Sequence, residues 1–184
     1  MDGALRYAQD HGVMFEHDYP YKGLTREGCK ANWAMDTTRI TDFVDVPSMN
    51  PEQLARAVMK GPVATAVQGD SMVFMQYAGG VITDESCFSS KEVNHAVLVV
   101  GYGEDNGLPY FLVKNSWGET WGEKGFVKIG FQSGEGVCGI QTAPVQFDTK
   151  GLSQPAPTVN TSTKSNQFRY PKPQLNMASP YYLQ

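Results

Sequence analysis

An α+β fold, in which short helices accompany a mostly antiparallel β-barrel or sandwich, is predicted from three observations. Six short β-rich runs are separated by tight glycine turns, and one stretch carries a full set of helix-start signals. The 184 residues are 41% hydrophobic and 18% charged, enough for one ordinary core and unlike a disordered or collagen-like chain.

Ala4-Leu5-Arg6-Tyr7-Ala8 reads as the end of a helix closed by Gly12, where positive φ costs least. Asn50-Pro51-Glu52-Gln53 then offers an N-cap, a proline at the first helical position and a glutamine three residues after the cap. Leu54, Ala55 and Val58 follow as an apolar stripe, so the spacing predicts a helix over 51–60 that Gly61-Pro62 stops. After it the period changes. Residues 63–67, 80–83, 96–102, 110–115, 126–129 and 140–147 read as strands, and no internal repeat is present.

Composition divides the chain into a domain over 1–149 and a tail over 150–184. Pro, Ser, Thr, Asn and Gln make up 19 of the 34 residues from 151 to 184, and Lys164, Arg169 and Lys172 are the only charges there. Such a segment buries too little apolar surface to offset its ordering entropy and is expected to be disordered. Asn160-Thr161-Ser162 is a glycosylation sequon, meaningful only in a secretory setting.

The formal net charge is −4, and no basic cluster is long enough to follow a phosphate backbone, so nucleic-acid binding is not expected. The longest apolar run, 96–102, is far too short to span a bilayer, and the residues from Met1 do not read as a signal peptide. Cys29, Cys87 and Cys138 share no CxxC spacing, which disfavours zinc, and their odd number leaves at least one without a partner in the chain.

Chemistry enters at the central hairpin. Glu104-Asp105-Asn106-Gly107 is a turn sequence whose midpoint is read near residue 105. His95 and Asn115 lie ten residues to either side, so they are expected near-opposite with side chains on one face. Trp117 is then placed to cover their contact. A histidine oriented by a carboxamide and roofed by an indole can serve a nucleophile as base and imidazolium partner. Taken alone, the pair reads more readily as a strand-end histidine satisfied by a neighbouring asparagine.

The surrounding words are more specific. Residues 94–103 (NHAVLVVGYG) and 110–122 (YFLVKNSWGETWG) closely resemble the His and Asn segments of papain-like cysteine peptidases. The resemblance extends to Tyr19-Pro20-Tyr21, Gly28-Cys29, Gly61-Pro62-Val63, residues 125–129 and Cys138-Gly139-Ile140, covering nearly everything from 1 to 147. It implies the papain-like fold, with most of the chain in the right-hand antiparallel β-barrel domain and a remnant of the left-hand helical domain. His95 would be the catalytic imidazole, Asn115 its orienting amide and Trp117 a shield that also lines the leaving-group side. Ala66, Val93 and Ala143, with Met1 as a fourth, match positions lining the pocket for the second residue on the acyl side of the scissile bond. On residue type alone, all four read first as ordinary packing. Cys87 and Cys138 match a family disulfide, and Cys29 matches a cysteine whose partner lies in the family's N-terminal part.

One departure is large. The family nucleophile lies in a Cys-Gly-Ser/Ala-Cys-Trp segment roughly 130–150 residues before the His and Asn, whereas His95 has only 94 residues before it. On that spacing the thiol and the oxyanion-hole glutamine fall upstream of Met1. Cys29, in Arg26-Glu27-Gly28-Cys29-Lys30, is the best substitute chemically because nearby cations lower a thiol pKa, but the resemblance gives it a structural role. Two functions follow. The first is the C-terminal portion of a cysteine-type endopeptidase, inactive as this isolated chain. The second is a non-catalytic truncated paralogue acting as a peptide-binding or regulatory module. Expected partners are a peptide or protein substrate and the missing N-terminal papain half, with no nucleic acid and no membrane. No cofactor or metal is expected, and the resemblance implies a lysosomal, vacuolar or secreted location.

Overall fold

The computed structural model describes residues 1–22, 27–32 and 37–150. The 150–184 tail beyond Lys150, with its sequon at Asn160, lies outside the described residues, as do residues 23–26 and 33–36.

Helix α1 (Asp2–His11) opens the chain, longer than the 4–8 stretch that marked it, and Gly12 ends it at φ +82° with its N–H on Ala8 O. The short strand β1 (Val13–Met14) and the longer β2 (Thr37–Asp45) come next. Helix α2 (Pro51–Val58) begins as its sequence signals predict, with Asn50 Oδ1 accepting the Gln53 N–H at 3.1 Å. Strands β3 (Val63–Val67) and β4 (Val81–Ile82) flank the one-turn helix α3 (Met72–Met75). A 3-10 turn at Glu85–Phe88 leads to the hairpin of β5 (His95–Asp105) and β6 (Leu108–Lys114). Strand β7 (Phe126–Gly130), a second 3-10 turn at Val137–Gly139 and β8 (Val145–Lys150) complete the order.

All eight strands join one sheet in the order β1-β2-β8-β3-β5-β6-β7-β4, antiparallel throughout except for the β4–β7 pair. Two strand expectations need correction. The run 140–147 is strand only from Val145, because Ile140 closes the second 3-10 turn and the Gln141 and Thr142 N–H groups bond back to Glu135 O and Gly139 O. Strand β2 was not foreseen, and its burial explains why: it presents no alternating apolar face, only half-buried Thr37, Thr38, Ile40 and Phe43 among exposed residues. A register shift between Ile40 and Asp42 breaks its period further.

The core lies between the sheet and α2. Alternation along β3 buries Val63, Thr65 and Val67 completely, and Val99, Phe111, Val113, Val127 and Ile129 join them from β5, β6 and β7. Leu54 of α2 is fully buried against this set, which is worth about 1.5–3 kcal/mol relative to leaving it in water. Thr65 is polar yet tolerated because its hydroxyl donates to Ile140 O at 2.7 Å. A disulfide between Cys87 and Cys138, both fully buried, ties the two 3-10 turns together with a Cα–Cα distance of 4.6 Å. Cys29 is exposed and unbonded.

Candidate active site

His95 opens β5, paired with Val67 of β3, and Asn115 immediately follows β6. The hairpin between them turns through Asn106 and Gly107, both at positive φ (51° and 80°), in the two-residue geometry that matches strand twist. Its flanking pair is Asp105 with Leu108, so the midpoint lies between 106 and 107 rather than near 105. That register, kept unbroken, would place Asn115 level with Leu98 and therefore on the opposite face from His95.

A bulge restores the shared face. Gly101 pairs with Leu112 but Val99 pairs with Val113, leaving Val100 as an extra residue on β5. Beyond the bulge Leu98 pairs with Lys114, and continuing that register by one residue puts Asn115 level with Val97, two residues from His95. His95 and Asn115 thus meet as diagonal neighbours on one face, not directly opposite as expected, and their side chains bridge the offset at 2.7 Å (Nε2 to Oδ1).

The direction of that bond follows from a third group. The Ser116 backbone N–H donates to the same Asn115 atom at 2.8 Å, so that atom is the amide oxygen. Nε2 of His95 must therefore carry the proton it donates. In the neutral ring Nδ1 then holds the lone pair, free to accept a proton. Asn115 is buried and His95 half-buried.

Aromatic rings enclose the pair. Trp117 lies over His95 with centroids 4.9 Å apart, and Phe74 of α3 stands edge-on to both, at 6.0 Å from His95 and 5.5 Å from Trp117. Trp121 packs on Phe74 at 5.1 Å and on Trp117 at 5.3 Å, and its Nε1–H donates to Met75 O at 3.0 Å. The expected cover by Trp117 is present, although the residue is itself 41% exposed. Phe74 and Trp121 are site residues that the sequence reading did not assign. Trp121 stood inside the quoted motif, but Phe74 sits in a helix too short to leave a periodic signal.

Both indoles belong to the 115–125 loop, closed by hydrogen bonds from Asn115 N to Gly125 O and from Gly125 N to Trp121 O. Gly122 is required here: its φ is +57°, and a Cβ would stand 2.6 Å from Phe126 O. Behind the histidine, Asn94 Oδ1 accepts the Gly69 N–H at 2.8 Å and Asn94 N–H donates to Val67 O, fixing the start of β5 against the end of β3.

The remaining matched positions are more dispersed. Ala66 sits half-buried on β3 opposite Ala96, on the face away from the core, and Val93 is half-buried two residues before His95. Ala143 is exposed in the turn before β8, and continuing the β3–β8 register from Ala64 and Val145 puts it level with Ala66. Met1 caps α1, which packs on β2, two places from β3 in the sheet order. Cys29 belongs to a segment tied elsewhere, through Lys30 N–H to the Tyr19 hydroxyl and Asn32 N–H to Met14 Sδ. Among the described residues no group of three or more His, Cys, Asp or Glu is arranged to hold a metal ion.

Residues 1–147 match the family model described as papain family cysteine protease. Cathepsin L of Sarcophaga peregrina is 42% identical over 146 residues, 78% of this chain and 42% of that protein. Digestive procathepsin L 3 of the Tenebrio molitor larval midgut superposes with a TM-score of 0.70 at 40% identity, covering 83% of this chain and 48% of that one. The bromelain protease of Ananas comosus, solved in complex with the E64 inhibitor, gives 0.68 at 32% identity, covering 78% and 66%. The chain spans about two fifths of the length of the curated relatives it matches.

Proposed function

This chain belongs to the papain family of cysteine proteases, and we propose that it supplies the histidine side of a cysteine endopeptidase whose thiol stands outside these 184 residues. The observation that carries this reading is the 2.7 Å bond from His95 Nε2–H to Asn115 Oδ1, which leaves Nδ1 as a proton acceptor. In the reaction Nδ1 takes the thiol proton, and the thiolate attacks the substrate carbonyl. The imidazolium, held by Asn115, returns that proton to the departing amine, and water then hydrolyses the acyl-enzyme. Ala66, Val93, Ala143 and Met1 are assigned to the pocket for the second acyl-side residue, and Trp117 to the leaving-group side. The buried disulfide favours an oxidising compartment, in keeping with a lysosomal, vacuolar or secreted setting. Alone the chain can orient a base, but its free thiol at Cys29 belongs to a segment tied to Tyr19 and Met14, so it is read as inactive by itself.

The test is reconstitution. The 184-residue chain is assayed on a fluorogenic peptide alone, and after fusion or co-refolding with a segment bearing Cys-Gly-x-Cys-Trp. Hydrolysis only in the combined protein, blocked by a thiol alkylator and abolished by His95→Ala, is the expected result. Alkylator-sensitive hydrolysis by the chain alone, lost in Cys29→Ser, would mean that the nucleophile is Cys29. A folded combined protein that stays inert would favour a non-catalytic peptide-binding module.

A further inference from the structure

Beyond Asn115, two side chains tie the 115–125 loop to the rest of the fold among the described residues. One is Trp121, through its bond to Met75 O. The other is Glu123. Its Oε1 accepts the Gly80 N–H at 3.1 Å and lies 3.0 Å from the Tyr77 hydroxyl, whose proton also reaches Gly80 O at 2.7 Å. Its Oε2 is 3.3 Å from Lys128 Nζ, which bonds Asp105 at 2.8 Å at the far end of the hairpin. The Lys128 backbone N–H in turn donates to the Tyr77 hydroxyl at 3.3 Å. The Lys128 side chain is 16% exposed and the Glu123 side chain 37%, so the network is sheltered on the lysine side and open to water on the carboxylate side.

From Glu123 the contacts run inward without a gap. Tyr77, buried, packs on Trp121 at 5.8 Å, Trp121 packs on Trp117, and Trp117 covers His95. Burial pushes the Tyr77 hydroxyl up to about 12, so it stays a neutral donor facing the carboxylate. We infer that Glu123 is a positioning residue: through Tyr77 and Trp121 its carboxylate holds the Trp117 indole over the His95–Asn115 hydrogen bond, an inference that rests on reading those two residues as the catalytic pair. The Glu123 and Tyr77 side chains together bridge the indole loop, the α3–β4 turn and β7. A carboxylate suits the position because it accepts from several donors at once and offsets the Lys128 charge.

The experiment uses the 184-residue chain, labelled with nitrogen-15, and follows exchange of the His95 Nε2 proton with water by NMR. This readout reports the covering of one bond and does not depend on turnover. Trp117→Ala sets the scale by removing the roof, and exchange is expected to rise about tenfold or more. Glu123→Ala should reproduce most of that rise, Tyr77→Phe a smaller part, and Glu123→Gln, which keeps an acceptor for Gly80, should stay within about twofold of the parent. Exchange at the parent rate in Glu123→Ala, with Trp117→Ala fast, overturns the inference and leaves the catalytic pair standing. If Trp117→Ala changes nothing, the roof is not protective and both readings fall. Should Glu123→Ala not fold, Tyr77→Phe carries the test, and an unchanged rate there overturns the inference.

Discussion

One oxygen of Asn115 serves two donors, His95 Nε2–H at 2.7 Å and Ser116 N–H at 2.8 Å, while the Asn115 Nδ2 is buried without a protein partner among the described residues. The amide therefore orients the ring through its oxygen alone. Asn115→Asp keeps that oxygen and adds a full negative charge beside the imidazole. Exchange of the His95 Nε2 proton with water, followed by NMR on the isolated chain, should slow in this variant because a bond to a charged acceptor is stronger. An unchanged rate would mean that the contact does not persist in solution. In a reconstituted enzyme Asn115→Ala should cost less turnover than His95→Ala, since the ion pair can form without the amide.

The second expectation concerns thiols. Alkylation of the oxidised chain should label Cys29 alone, with Cys87 and Cys138 recovered as one linked peptide pair by mass spectrometry. Replacing both bonded cysteines by Ala is expected to lower unfolding free energy by about 2–4 kcal/mol in a urea titration. Three reactive thiols in the oxidised protein would contradict the bridge.

Specificity follows from Ala66, Val93 and Ala143, which place no carboxylate around the pocket assigned to them. In the combined enzyme, a bulky apolar second residue gains burial free energy there, whereas Arg leaves a desolvated charge unpaired. Phe or Leu should exceed Arg by about tenfold or more in kcat/KM, measured on a peptide library. A preference for Arg would show that these residues do not line the pocket.

Alkaline stability is set partly by the Glu123 network. Burial raises Tyr77 from 10.0 to about 12, and the bond to Asp105 raises Lys128 above its ordinary 10.5. Both groups hold their proton more tightly folded than unfolded. Their contribution is complete below pH 10 and is lost as pH rises through the raised values. The urea midpoint should therefore fall steeply between pH 10 and 12, and Tyr77→Phe should make that fall shallower. An identical slope in the variant would show that Tyr77 is not held neutral by folding.

Part of the site is legible because local signals fix the elements that flank it. The Asn50 cap and the alternation of residues 63–67 are local signals that form as expected, and Asn106-Gly107 forms the turn with its midpoint past residue 105. Counting outward from that turn brought His95 and Asn115 together, but for an incomplete reason. The midpoint was misplaced and Val100 was not seen as a bulge, since an extra residue in an apolar run leaves no mark in composition. Strand β2 failed for a different reason: it is held by pairing with β8 and β1 rather than by an apolar stripe. Phe74 and Glu123 act through distant partners that no local spacing reveals.

The bridge between Cys87 and Cys138 has a topological consequence. Strands β5, β6 and β7 all lie between those two positions, so His95, Asn115, both indoles and Glu123 sit inside a covalent ring. A single nick anywhere in that ring, including the exposed Asn106-Gly107 tip, leaves both pieces joined through sulfur, and the sheet pairs on either side can keep their register. Among the described residues, this is the one stretch of chain that can be cut once without coming apart, and it carries both His95 and Asn115.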